Sequence, residues 1–247
     1  MNDAIQAETT MIAGAGGDQI EAYFARPLDP QPRGGVVVIH HLPGYDEPTK
    51  EMVRTFAVNG YAAVCPNLYW RDAPGASPDD AAAFVRGQGG APDARVVGDV
   101  VAAAGFLRGL STSNGKVGVI GHCSGGRHTV LAACSGPFDA AVDCYGAFVL
   151  NAPPEGSGLK MTPIRERLAD LSCPLLGLFG NDDQYPAPAE VAELEKTLTE
   201  LGKSYEFHAY DGAGHAFFSV NRPAYRPEAA MDGWKKIFAF YGKHLGV

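Results

Sequence analysis

The chain is poor in cysteine, in charge and in long apolar runs. Its five cysteines, at 65, 123, 134, 144 and 173, are odd in number and show no paired spacing. That pattern argues against a disulfide framework and a zinc site, and for reduced thiols in a cytoplasmic protein. Charged residues make up only 19% of the 247, and acids outnumber bases for a net charge of −8. A basic excess is missing, so no nucleic-acid partner is expected. No run reaches the roughly 18 apolar residues of a membrane span, so no membrane partner is expected either. The N-terminal stretch has early acids and no apolar core, and so reads as neither a signal nor a transit peptide. No Gly-x-Gly-x-x-Gly follows a strand, which excludes a dinucleotide-binding turn. With no repeat and no low-complexity linker, residues 1–247 read as one α/β domain.

What is present is an alternation of strands and helices. Residues 8–13 and 19–25 flank "GAGGD" and predict an N-terminal β-hairpin. "VVVI" at 36–39 is short, apolar and β-branched, as in a strand buried on both faces. Further strands are expected in "YAAVC", "KVGVIG", "FDAAVDCYG", "CPLLGLFG" and "SYEFHAY". Helices are expected near 48–59, after the Ser77-Pro78 start, and over 92–110, 188–201 and 227–244. This order implies a mainly parallel sheet with helices on both faces. Residues 150–170 are the least regular, with a Pro/Gly-rich loop and a short helix.

The chemistry concentrates in "IGHCSGGR". Gly121-His122-Cys123-Ser124-Gly125 fits Gly-x-nucleophile-x-Gly between a strand and a helix. Such a chain must turn sharply, and small residues two before and two after the nucleophile avoid clashes. Centring the frame on Ser124 would demand a small residue at 122, which is histidine; Cys123 is therefore the candidate nucleophile. The Ser124 N–H, opening a helix, and the Leu42 N–H, in the loop after "VVVI", are the expected donors to an oxyanion.

In this topology the acid follows the nucleophile and the histidine comes last. "LLGLFGNDDQYP" offers Asp182 and Asp183 at a strand's C-terminal end, where sites of open α/β sheets lie. "YDGAGHAFF" places His215 in a glycine-rich loop after the last strand. His40, His41 and His122 do not make a metal site, because adjacent residues of a strand point to opposite faces. No metal and no cofactor are expected.

These residues carry a resemblance. With "GYAAVCPNLYWRDAPG", "GHCSGG", "AVDCYG", "GNDDQYPAP" and "GAGHAFF", the chain resembles the dienelactone hydrolases (carboxymethylenebutenolidases) of the α/β-hydrolase superfamily over nearly its whole length. The resemblance implies an α/β-hydrolase fold and a triad of Cys123, Asp182 and His215, Asp182 being favoured because it lies four residues before Pro186. It places the oxyanion donors on Leu42 and Ser124, and makes Arg71 of "LYWRDAPG" a clamp for a substrate carboxylate. His41 stands where the family has a glutamate that contacts the resting thiol. Ser219 stands where it has a second carboxylate-binding arginine. His41, Arg71 and Tyr145 are thus the candidates for substrate binding or activation.

The implied activity is hydrolysis of an enol-lactone or activated ester through a thioester, with a small-molecule substrate as partner and a monomer or small homo-oligomer as the assembly. Two rival readings are a broad esterase with promiscuous phosphotriesterase activity, and a redox-sensing thiol protein without catalysis.

Overall fold

A computed structural model describes residues 4–246. Its centre is strand β3 (Arg33–Ile39), buried at every position. Side chains alternate across a strand, so Val36 and Val38 enter one apolar cluster while Val37 and Ile39 enter the other. Strand β4 (Ala62–Pro66) splits in the same way, with Ala63 and Cys65 on one side and Ala62 and Val64 on the other. Two-sided burial is why these segments read as unbroken apolar runs.

The remaining strands are β1 (Ile5–Ala13), β2 (Gln19–Pro27), β5 (Ser113–His122), β6 (Ala140–Cys144), β7 (Leu175–Gly180) and β8 (Tyr205–Tyr210). All eight form one sheet in the order β1-β2-β4-β3-β5-β6-β7-β8. β1 and β2 form the expected hairpin, and β2 meets β4 antiparallel; every pair from β4 to β8 is parallel.

Helices α1 (Glu47–Val58) and α6 (Pro227–Leu245) cover one face. The other is covered by α2 (Pro78–Gly87), α3 (Asp93–Arg108), α4 (Ser124–Ala133) and α5 (Pro188–Glu200). Their starts follow local chemistry. Asp46 caps α1 by accepting from the Thr49 N–H, and Ser77 caps α2 from Asp80. Residues 165–170 form the short helix, of 3-10 type. Among the described residues no helix is long and apolar enough to cross a membrane. The eight-stranded, mainly parallel sheet with helices on both faces is an α/β-hydrolase fold.

Candidate active site

Cys123 sits between β5 and α4 with φ 58° and ψ −124°. Few L-residues adopt a positive φ, and such strain concentrates at functional sites. The flanking glycines explain how the turn closes. A Cβ at Gly121 would collide with the Gly125 carbonyl, and one at Gly125 would lie 2.6 Å from the Ile39 carbonyl oxygen. The glycine frame therefore packs the start of α4 directly against the end of β3. Cys123 is the one partly exposed sulfur; Cys65, Cys134, Cys144 and Cys173 are buried.

Cys123, Ser124 and Leu42 line a cleft of about 480 Å³ with His215 and Asp183. Among the described residues neither the Leu42 nor the Ser124 N–H donates to another protein group. For Ser124 this follows from its place in the first turn of α4, where amides lack intrahelical partners.

His215 follows β8. Its Nδ1 lies 2.9 Å from Oδ2 of Asp183. Asp183, and not the expected Asp182, faces the histidine. The turn after β7 brings the Asp183 N–H back to the Gly180 carbonyl; Asp182 is left exposed at the rim of the cleft and Asp183 is buried. Oδ1 of Asp183 accepts from the Tyr185 N–H at 2.9 Å, so both carboxylate oxygens are engaged. Burial alone would lower the His215 pKa, but the hydrogen bond to Asp183 and the neighbouring Cys123 sulfur outweigh it and raise the ring to about 10.

Three further expectations change. Arg71 is absent from the cleft wall; it is locked between Asp18 and fully buried Asp99, at 2.5 and 2.7 Å. It ties the N-terminal hairpin turn to α3, since Asp99 also accepts from the Ala15 N–H. His41 bonds Asp46 at 2.7 Å and makes no hydrogen bond to the thiol among the described residues. Burial favours the neutral acid of Asp46, yet the bonds from His41 and Thr49 hold its pKa down at about 2. Tyr145 is buried behind the site rather than lining it. Its ring packs edge-on against His215, with centroids 5.2 Å apart, and so backs the imidazole.

The cleft's far wall has no counterpart among the residues expected from the sequence. Phe148, Leu159 and Met161 come from the irregular 148–164 segment, and Gln184 and Tyr185 follow the acid. Arg127, one turn into α4, holds that segment. Its guanidinium is fully buried and donates to both Asp93 carboxylate oxygens at 2.8 Å, and to the Thr162 and Phe148 carbonyls at 2.7 and 3.3 Å. No local pattern marks such a hub; only its being the one arginine or lysine in α4 hints at it. No lysine or arginine lines the cleft. Among the described residues no group of three or more His, Cys, Asp or Glu could hold a metal ion.

The Dienelactone hydrolase family matches residues 20–245. A protein of Methylorubrum extorquens named "Putative carboxymethylenebutenolidase" is 34% identical over 90% of this chain and 77% of its own. An Escherichia coli protein of the same name is 31% identical over 99% of this chain and 90% of its own. The crystal structure of a "Putative Dienelactone Hydrolase" from Klebsiella pneumoniae superposes with a TM-score of 0.85 at 29% identity, covering 98% of this chain and all of that one. With its cysteine elbow and its eight-stranded sheet, the chain belongs to the dienelactone hydrolase family of the α/β-hydrolase superfamily and is a hydrolase of lactones and esters.

Proposed function

We propose that the protein hydrolyses uncharged, activated esters and enol-lactones through a thioester on Cys123, with His215 as proton carrier and Asp183 as its orienting acid. The observation that carries this reading is the cleft that Cys123, at its positive φ, shares with the Asp183-bound ring of His215 and the free amides of Leu42 and Ser124.

The Nδ1–H of His215 donates to Asp183, which leaves Nε2 to exchange a proton with the thiol. The thiolate forms a bond to the acyl carbon, and the carbonyl π pair moves to oxygen between the Leu42 and Ser124 amides. Collapse expels the alkoxide or enolate, which takes the proton from Nε2. Water then gives a proton to Nε2 and attacks the thioester; the C–S bond breaks and the thiolate leaves. Thiolate is the better leaving group, so attack on an amide reverses while attack on an activated ester proceeds.

The charge of the cleft favours a neutral substrate. Its lining includes Asp182 and Asp183 and neither lysine nor arginine, the one basic group there, His215, is paired with Asp183, and Arg71 is committed elsewhere. The experiment is a panel of neutral aryl esters, enol-lactones and their carboxylate-bearing analogues, with Cys123→Ala as control. Loss of all turnover in Cys123→Ala, with neutral members preferred in the wild type, is expected; undiminished Cys123→Ala turnover would sink the reading.

A further inference from the structure

His40 lies at the end of β3, is 2% exposed, and has both ring nitrogens engaged. Nδ1 is 2.9 Å from the His41 carbonyl oxygen, and the Leu68 N–H donates to Nε2 at 3.2 Å. A carbonyl only accepts and an amide N–H only donates, so the proton resides on Nδ1. Burial pulls the ring pKa down to about 4, which keeps this neutral form at ordinary pH. The Tyr69 ring and the imidazole pack nearly perpendicular, with centroids 4.6 Å apart.

The acceptor of that Nδ1–H is the important partner. The His41 carbonyl also accepts from the Gly44 N–H at 2.9 Å, so two donors fix its direction. A trans peptide is planar, with C=O and N–H on opposite sides. Pinning the His41 C=O therefore aims the Leu42 N–H the other way. Among the described residues that N–H, like the Ser124 N–H, donates to no protein group, and Leu42 lines the cleft beside Cys123 and Ser124. On the facing side, a Cβ at Gly125 would come within 3.0 Å of the His40 carbonyl oxygen, so α4 abuts the same short segment.

We infer that His40 is a positioning residue for ester hydrolysis: its Nδ1–H, together with the Gly44 N–H, holds the His41–Leu42 peptide so that the Leu42 N–H meets the oxyanion formed when Cys123 attacks. The inference rests on the thiol-nucleophile reading above. A donor aimed before the reaction needs no reorganisation as charge develops, which is where such groups gain their effect.

The test uses the full chain, p-nitrophenyl butyrate as substrate, and iodoacetamide as a second probe of the thiol. Alkylation attacks a saturated carbon and develops no oxyanion. His40→Leu removes the ring donor. It should lower kcat by about 10- to 100-fold, less than or near the loss of a whole oxyanion donor, with KM within about threefold and the alkylation rate unchanged. His40→Gln carries one donor and one acceptor and should restore most of kcat. Wild-type kcat in His40→Leu, parallel loss of turnover and alkylation, or a glutamine variant as slow as leucine would each overturn the proposal. If His40→Leu does not fold, nitrogen-15 NMR of the wild-type ring decides: a proton on Nδ1 supports the proposal, and one on Nε2 overturns it. The Cys123→Ala control tests the nucleophile separately, so failure of that reading and failure of this one are distinguishable.

Discussion

Asp183 holds His215 with one carboxylate oxygen and the Tyr185 N–H with the other, while Asp182, its immediate neighbour, is exposed at the cleft rim without a bond to the ring. An acid satisfied on both oxygens orients the ring and fixes its tautomer. Asp183→Asn should therefore lower kcat on an aryl ester by at least about 100-fold, a change that reaches about 10⁴ in serine enzymes. Asp182→Asn should stay within about threefold of wild type. Steady-state kinetics of the two variants side by side checks this; equal losses would contradict the geometry.

The raised pKa of His215 has a consequence for stability against pH. The folded protein holds its proton up to about pH 10, whereas an unperturbed histidine releases it near 6.5. Between those values the native state binds the extra proton, so stability falls as pH rises. The stabilisation is full below about pH 6.5 and gone above about pH 10. Urea unfolding midpoints of wild type and His215→Ala should differ most near pH 6 and converge near pH 10.5. A difference that grows with pH would reverse the sign.

Arg71 should matter for folding and not for substrate charge. Removing it leaves Asp99 buried without its cation, which costs about 3 kcal/mol or more. Arg71→Ala is expected to lower the unfolding free energy by that order. Its kcat/KM should shift equally for neutral and carboxylate-bearing esters. A selective loss on the anionic esters would show that the residue reaches substrate after all.

Arg127 joins α4, the helix that follows Cys123, to the cleft's far wall through Asp93 and the Phe148 and Thr162 carbonyls. Arg127→Met should cost about 3 kcal/mol, the lower end for a buried pair because Asp93 keeps contact with water. It should also raise KM for bulky apolar esters by about tenfold, with smaller effect on acetate esters. Equal KM changes across ester sizes would mean that the wall does not depend on this anchor.

The fold was legible because its signals are local. The apolar runs "VVVI" and "YAAVC" mark buried strands, and Ser77-Pro78 marks a helix start. The sharp turn at Cys123 was legible too, since the glycine spacing around it is a steric demand of the turn itself. Asp183 was not separable from Asp182 by counting to Pro186, because which of two adjacent turn residues faces inward depends on how the chain leaves β7. Arg71 and His41 misled for a different reason. Their partners, Asp18, Asp99 and Asp46, satisfy them in three dimensions, and Asp18 and Asp99 lie far from Arg71 in sequence. The wall residues Phe148, Leu159 and Met161 sit in an irregular segment without periodicity, where no pattern distinguishes a lining side chain from an exposed one.

Four of the five sulfurs are enclosed by apolar neighbours, and the fifth opens on the cleft. An alkylating reagent should accordingly count active sites, one per chain, without unfolding anything. On the proposed thioester mechanism the same arrangement concentrates risk: peroxide and substrate would compete for a single atom, and oxidation there would silence turnover while sparing the scaffold.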